Sequence, residues 1–194
     1  MSRIGKLERK TGETDIKVDI NLDGSGKYFV DTGIGFLDHM LELFAKHGNF
    51  DLDVKAKGDL NVDCHHTVED VAIGLGCAIN KALKKNIKLK RYATAYTPMD
   101  ETLSFISLDI SGRPYLVFNG EFTVETIGDL DTEMIEEFFR SLVYNSKITG
   151  HFNILYGKNN HHKAESLFKG FGRALKEAVI IEDTLLSTKG SIEV

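Results

Sequence analysis

The chain has 194 residues, 42% of them hydrophobic and 27% charged, with a formal net charge of −5. That composition fits a globular protein with room for one sizeable core, or for two small halves sharing one. It offers no basic stripe for nucleic acid, no apolar run of the ~20 residues that span a bilayer, and no apolar signal-peptide core in "MSRIGKLERKTGETD", so a cytoplasmic location is expected.

Ile16, Val18, Ile20 and Leu22 alternate, "DGSG" follows, and Tyr28 and Val30 resume, which predicts a hairpin. "GFLDHMLELF", apolar at Phe36, Leu37, Met40, Leu41, Leu43 and Phe44, predicts a helix around His39. Leu52, Val54 and Ala56 mark a strand. After "DCHH", the residues Val68, Val71, Ala72, Leu75, Ala78, Ile79, Ala82 and Leu83 form one apolar stripe at helical spacing. "KALKKNIKLKR" reads as a solvated basic connector. Beyond it, "TLSFISLDI", the turn-like "SGRP" and "YLVF" predict a second hairpin, "EMIEEFFRSL" a helix, and Phe152, Ile154 and Tyr156 a strand. A last helix follows "NNHH".

The second series repeats the first. Adding 96 to each stripe position of the earlier long helix gives Ala164, Leu167, Phe168, Phe171, Ala174, Leu175, Ala178 and Val179, all apolar. The same offset maps His65, His66 and Glu69 onto His161, His162 and Glu165, and an offset of 98 puts His39 opposite Glu137. The expected fold is therefore α/β (α+β) and internally duplicated. Two strand-strand-helix-strand-helix halves, approximately 1–88 and 89–194, each form a small sheet packed with helices.

A histidine in a globular protein is most often a surface or satisfied core residue, and that bland assignment fits His47 and His151. It fits the pairs poorly, because each pair carries a carboxylate at fixed helical spacing. Successive helical residues point about 100° apart, so His65 and His66 do not readily bind one ion from a regular helix. His65 and Glu69, at i and i+4, share a face. The economical solution is two metals, each taking one histidine of each pair, with His39 and Glu137 completing the shells. Imidazole and carboxylate donors without thiolate suit manganese, iron, cobalt or zinc. Cys77 reads as a small apolar helix residue, and Cys64 has no counterpart in the second copy.

These stretches resemble the imidazoleglycerol-phosphate dehydratase family of histidine biosynthesis. The likeness rests on "TGETDI", "TGIGFLDHMLELFAKHG", "DCHHTVEDVAIGLG", "PMDETL", "DISGRPYL", "NNHHKAESLFKGFGRAL" and "LSTKGS", in that order over nearly the whole chain. The resemblance implies a single monofunctional domain over 1–194, of the ribosomal protein S5 domain 2-like fold. It implies dehydration of D-erythro-imidazole glycerol phosphate to imidazole acetol phosphate, through a substrate imidazolate bound to two manganese(II) ions. It also implies assembly into a shell of twenty-four subunits, with active sites between subunits. Carried over by position, the metal ligands are His39, His65, His66, Glu69, His161, His162 and Glu165. The eighth is Glu137, where the family often has histidine; its neighbour Glu136 is the alternative.

The resemblance further implies that Glu13 is the catalytic acid/base and contacts substrate, as does His39. Arg91 and Arg113 match anion-binding arginines, whose planar forks suit phosphate oxygens. Ser187, Thr188 and Lys189 match a late substrate loop, and His47 falls in a substrate-contact segment. Lys169 lies one turn beyond Glu165 on the ligand face of its helix. Two rival functions share the metal donors: a binuclear phosphate-ester hydrolase and a non-enzymatic metal-storage shell. Storage gives no reason for the basic set Arg91, Arg113, Lys169 and Lys189.

Overall fold

The computed structural model describes residues 2–83, 88–184 and 186–187. The first half runs β1 (Ile4–Lys10), β2 (Thr14–Asn21), β3 (Tyr28–Asp31), α1 (Gly35–Gly48), β4 (Asp51–Gly58) and α2 (His65–Leu83). The second runs β5 (Tyr92–Met99), β6 (Thr102–Asp109), β7 (Tyr115–Asn119), a small ribbon of β8 (Thr126–Ile127) and β9 (Leu130–Asp131), α3 (Glu133–Ser146), β10 (Thr149–Tyr156) and α4 (Asn160–Ala178). The sheets have the orders β1-β2-β4-β3 and β5-β6-β10-β7. Apart from the β8–β9 ribbon, the same element order and strand order therefore occur twice, and the mixed α/β fold is duplicated as expected.

Both predicted hairpins need correction. β2 and β3 do not pair; β4 lies between them, antiparallel to β2 and parallel to β3. In the second half β10 separates β6 from β7 in the same way. The hairpins that do form are β1–β2 and β5–β6, each using an initial strand that the sequence pattern did not mark. "DGSG" instead carries the chain across the start of β4. The backbone N–H groups of Ser25 and Lys27 donate to Asp51 Oδ1 at 2.8 and 3.1 Å. A Cβ on Gly24 would come within 2.2 Å of the Asp51 backbone nitrogen, so this crossing requires glycine.

Helices of opposite halves pack on one another. α1 lies beside α4 and α2 beside α3, and each long helix also covers its own sheet. Two pairs of glycines related by the 96-residue offset permit this. Gly76 faces the Leu142 carbonyl of α3, and Gly172 faces the Phe44 carbonyl of α1; an added Cβ would sit 2.5 Å from either oxygen. Gly74 and Gly170 let the same helices lie close on their sheets, against Val18 and Ile106. The core between is aromatic on the second side, with Phe44 stacked on Phe171 at 5.1 Å and Phe139 4.2 Å from Phe152.

Gly172→Ala is expected to lower the unfolding free energy by about 1–3 kcal/mol, because the methyl group meets fixed backbone. It does so despite alanine's ~1 kcal/mol advantage in helix propensity. Urea unfolding measures this, with Gly12→Ala as the control, since nothing lies within 4 Å of a Cβ there. An unchanged midpoint for Gly172→Ala would mean that α1 and α4 separate without penalty.

Candidate metal centre

The packing of α1 on α4 builds one donor cluster from both halves. His39, His161 and Glu165 each offer a ligand atom within 4.8 Å of the others. Among the described residues this is the group that gathers three such donors. His39 Nε2 lies 3.2 Å from Glu165 Oε1, and His161 Nε2 lies 4.0 Å from the same oxygen. The His161 and Phe36 rings make a T-shaped contact with centroids 5.1 Å apart. Glu165 is 6% exposed. Burial raises its carboxyl, but the hydrogen bond and charge of Lys169, with His39 and His161, outweigh burial and hold it below the ordinary range. Lys169 Nζ is 3.1 Å from Glu165 Oε2, as the i, i+4 spacing predicts.

Local structure fixes each element's start. Asn159 caps α4, its Oδ1 accepting from the backbone of His161 and His162. Asp63, 96 residues earlier, accepts from the His65 N–H. α1 has no side-chain cap of its own. Asp129, at the tip of the β8–β9 ribbon, accepts from the N–H groups of Gly35 and Phe36 at 2.6 and 3.0 Å. A carboxylate from the second half thus aims the helix that carries His39.

The second histidine of each pair has a carboxylate on its Nδ1. His66 Nδ1 lies 3.1 Å from Asp59, and His162 Nδ1 lies 2.7 Å from Glu101. These hydrogen bonds raise both imidazole pKa values. Glu101 in turn is held far below the carboxylate range, first by the Asn159 N–H, then by His162 and the Lys158 N–H.

The remaining ligand candidates occupy the α2–α3 side. Glu69 lines a shallow cavity of about 210 Å³ with Ile73, Arg140, Ser141, Tyr144 and Asn145. Glu137 is half-buried, accepts from Ser141 Oγ at 3.3 Å and lies 3.6 Å from Arg140. Glu136 is more exposed and pairs with Arg140 at 3.0 Å. His65 is exposed beside His66, their rings 6.1 Å apart.

Glu13 is exposed, with its carboxylate 3.9 Å from His66 Nδ1. Its turn is rigid: Thr11 Oγ1 accepts from the backbone of Glu13 and Thr14 at 3.1 and 3.0 Å. Buried Asp70 of α2 accepts from Thr14 Oγ1 and Arg9, pinning this hairpin to the helix of the first histidine pair. His47 sits at the exposed end of α1 near α4; partial burial, then the charges of Lys169 and Arg173, lower its pKa.

The arginines lie elsewhere. Arg91 grips Asp109 with Nε at 2.7 Å and Nη2 at 3.2 Å, and donates Nη1 to the Leu186 carbonyl. Arg113 approaches the same Asp109 at 3.9 Å. The Arg91 N–H also meets the Ala178 carbonyl, at the C-terminal end of α4. His161 stands at the other end of that helix, seventeen residues or about 25 Å away at 1.5 Å per residue. Ser187 neighbours the Leu186 carbonyl that Arg91 holds; Thr188 and Lys189 lie outside the described residues.

Sequence spacing located the histidines and Glu165 but missed Asp59, Asp70 and Asp129, and gave Glu101 within "PMDE" no role. Asp59 reaches a histidine seven residues on across a loop, and the others hold partners remote in the chain, so periodicity carries no signal for them. Cys64 is buried and donates to Asp131 at 3.6 Å, and burial pushes its thiol pKa up. Among the described residues no helix is long and apolar enough to cross a membrane.

A sequence profile of imidazoleglycerol-phosphate dehydratase matches residues 32–175. An imidazoleglycerol-phosphate dehydratase of Clostridium acetobutylicum is 61% identical, with 98% of each chain covered. The imidazoleglycerol-phosphate dehydratase crystal structure from Staphylococcus aureus superposes with a TM-score of 0.84 at 40% identity, covering 92% of this chain and 99% of that one. The Pyrococcus furiosus structure gives 0.81 at 35% identity, covering 95% and 99%. By profile, sequence and fold, the chain belongs to the imidazoleglycerol-phosphate dehydratase family.

Proposed function

We propose that the protein dehydrates D-erythro-imidazole glycerol phosphate to imidazole acetol phosphate in histidine biosynthesis, using two manganese(II) ions at sites completed between copies of the chain. The family assignment supports the reaction. The metal reading rests above all on the convergence of His39, His161 and Glu165 from the two halves. Their donor set, two imidazoles and a carboxylate, suits manganese or a neighbouring divalent ion. Asp59 and Glu101 on the Nδ1 atoms leave Nε2 of His66 and His162 free to bind, the usual arrangement of a ligating histidine. The repeat-related set His65, Glu69 and Glu137 would supply the other donors.

In the reaction, the carbon bearing the imidazole loses its hydroxyl, its neighbour loses a proton, water leaves, and the resulting enol becomes a ketone. Bound dications would supply positive charge that stabilises the ring as an anion. The chain's own groups must orient the substrate and move the proton. Glu13 is the group we assign to proton transfer: it is exposed, rigidly mounted and beside His66. Lys169 keeps Glu165 ionised and adds a cation beside the cluster. His47, close to Lys169 and Arg173 and held toward its neutral form, lines the same helix pair.

Arg91, Arg113 and the Ser187–Lys189 segment are the phosphate-binding groups in this reading. A three-carbon phosphate ester is too short to bridge the about 25 Å of α4 between the Arg91 backbone and His161, which favours assembly: the arginines of one copy would serve the donor cluster of another. The outer sheet faces agree. β1, β2 and β4 expose mainly charge, at Lys6, Glu8, Lys10, Asp15, Lys17, Lys55 and Lys57, with Ile4 and Phe29 at the sheet's edges. β5, β6 and β10 instead turn Tyr92, Tyr96, Phe105, His151 and Leu155 outward, with Asp109 already occupied by Arg91. A face that mixes exposed aromatic side chains with Thr94, Ser107 and a paired charge suits contact with another subunit, as a twenty-four-subunit shell requires.

The test is an assay with imidazole glycerol phosphate on metal-stripped protein, restored ion by ion. Manganese-dependent formation of a ketone that retains its phosphate is expected. Release of inorganic phosphate would indicate the hydrolase instead, and metal uptake without turnover would indicate storage.

A further inference from the structure

We infer that Glu101 is a positioning residue that fixes the His162 ring as its Nδ1–H tautomer and so presents Nε2 to a divalent metal. The inference rests on the metal reading above and adds to it a residue outside the ligand set.

The geometry is specific. Glu101 Oε2 faces His162 Nδ1 at 2.7 Å. Its other oxygen accepts from the backbone N–H groups of Lys158 and Asn159 at 2.9 and 2.7 Å, and from Thr102 Oγ1 at 3.1 Å. A carboxylate anchored on both oxygens cannot swing away. Asn159, which it holds, is the residue that caps α4. One side chain from the β5–β6 turn therefore sets both the start of the helix and the orientation of the ring. An ionised carboxylate only accepts, so the Nδ1 facing it carries the proton, and the Nε2 of a neutral ring keeps its lone pair. On that side Asp100 Oδ2 stands 3.8 Å from Nε2, so the approach to the lone pair is acidic.

The duplicated half also sets carboxylate beside the same ring atom. His66, the repeat partner of His162, also has a carboxylate on Nδ1, but Asp59 supplies it from the end of β4. Asp59 and Glu101 lie in unrelated positions of their halves, one after the strand preceding the helix and the other in the first hairpin. The nearest carboxylate on the ring atom thus comes from a different loop in each half, while Glu13, in the first half's hairpin turn as Glu101 is in the second's, also stands 3.9 Å from His66 Nδ1.

Glu101→Gln tests this with little change of shape. The amide oxygen still accepts from Lys158 and Asn159, which forces the amide NH₂ toward Nδ1. A donor there demands an unprotonated Nδ1, so the proton moves to Nε2 and blocks it. Manganese titration calorimetry and metal analysis on the full-length protein should show two tight ions per wild-type subunit. In the variant, one of the two should weaken by about 10–100-fold, with the melting temperature of the metal-free form unchanged. Asp59→Asn should weaken the site served by His66, and the double variant both sites. Two ions at wild-type affinity in Glu101→Gln would overturn the inference alone. A weakening matched by equal losses of metal-free melting temperature in Glu101→Gln and Glu101→Ala would assign Glu101 a structural role and overturn it also. Wild-type protein that takes up no manganese would overturn the metal reading and this inference together.

Discussion

Glu13→Gln is expected to keep both metal ions and bind substrate, yet to turn over about 10²–10⁴-fold more slowly, the usual contribution of a positioned acid/base group. The substitution preserves size and leaves the turn intact, because Thr11 Oγ1 and Asp70 hold its backbone and its neighbour Thr14 rather than its side chain. The carboxylate stands 3.9 Å from His66 Nδ1 and is 59% exposed. A lost turnover with an unchanged substrate dissociation constant therefore reports proton transfer and not a collapsed loop. Steady-state kinetics combined with substrate titration of the variant make the measurement. Wild-type turnover would remove Glu13 from the chemistry.

Glu165→Gln has the second large effect, and it acts on metal binding and the fold at once. The side chain is buried between two histidines and Lys169, so neutralising it removes a ligand charge and leaves the ammonium facing a neutral amide. Loss of one partner of a buried charge pair costs about 3–5 kcal/mol, and the retained amide hydrogen bond keeps the expected loss toward the lower end. We expect one manganese site to be lost, activity to be abolished and the metal-free protein to melt earlier. Glu69→Gln, at the repeat-related but half-buried position, should lose metal with a smaller effect on melting. Equal manganese affinity in Glu165→Gln and wild-type protein would exclude the cluster as a metal centre.

These outcomes also bear on what could be read from the chain. The four helices were legible because their apolar stripes recur at helical spacing, and the duplication because one offset maps stripe, histidines and carboxylates together. β1 and β5 were not legible. β1 turns Gly5, Leu7 and Arg9 inward, since α2 passes so near that a Cβ on Gly5 would overlap the Ala78 carbonyl. β5 places Ala93, Ala95 and Thr97 inward and Tyr92 and Tyr96 outward. Its alternation is inverted in size because Gly170 brings α4 close to Thr97. A pattern that equates large apolar residues with the core overlooks such strands.

By itself the sequence determined the periodic elements, the duplication, the paired histidines with their carboxylates, and the family likeness, all of which are local spacings or one constant offset. Only the tertiary structure decided the strand order, since β4 and β10 enter their sheets between strands that the chain joins directly. It alone decided that His39 meets His161 and Glu165 through the α1–α4 crossing, while Arg91 and Arg113 lie at the far end of α4. And it alone brought Asp70, Glu101 and Asp129 to the groups they hold, because a hydrogen bond between a loop and a distant helix leaves no periodicity in the chain.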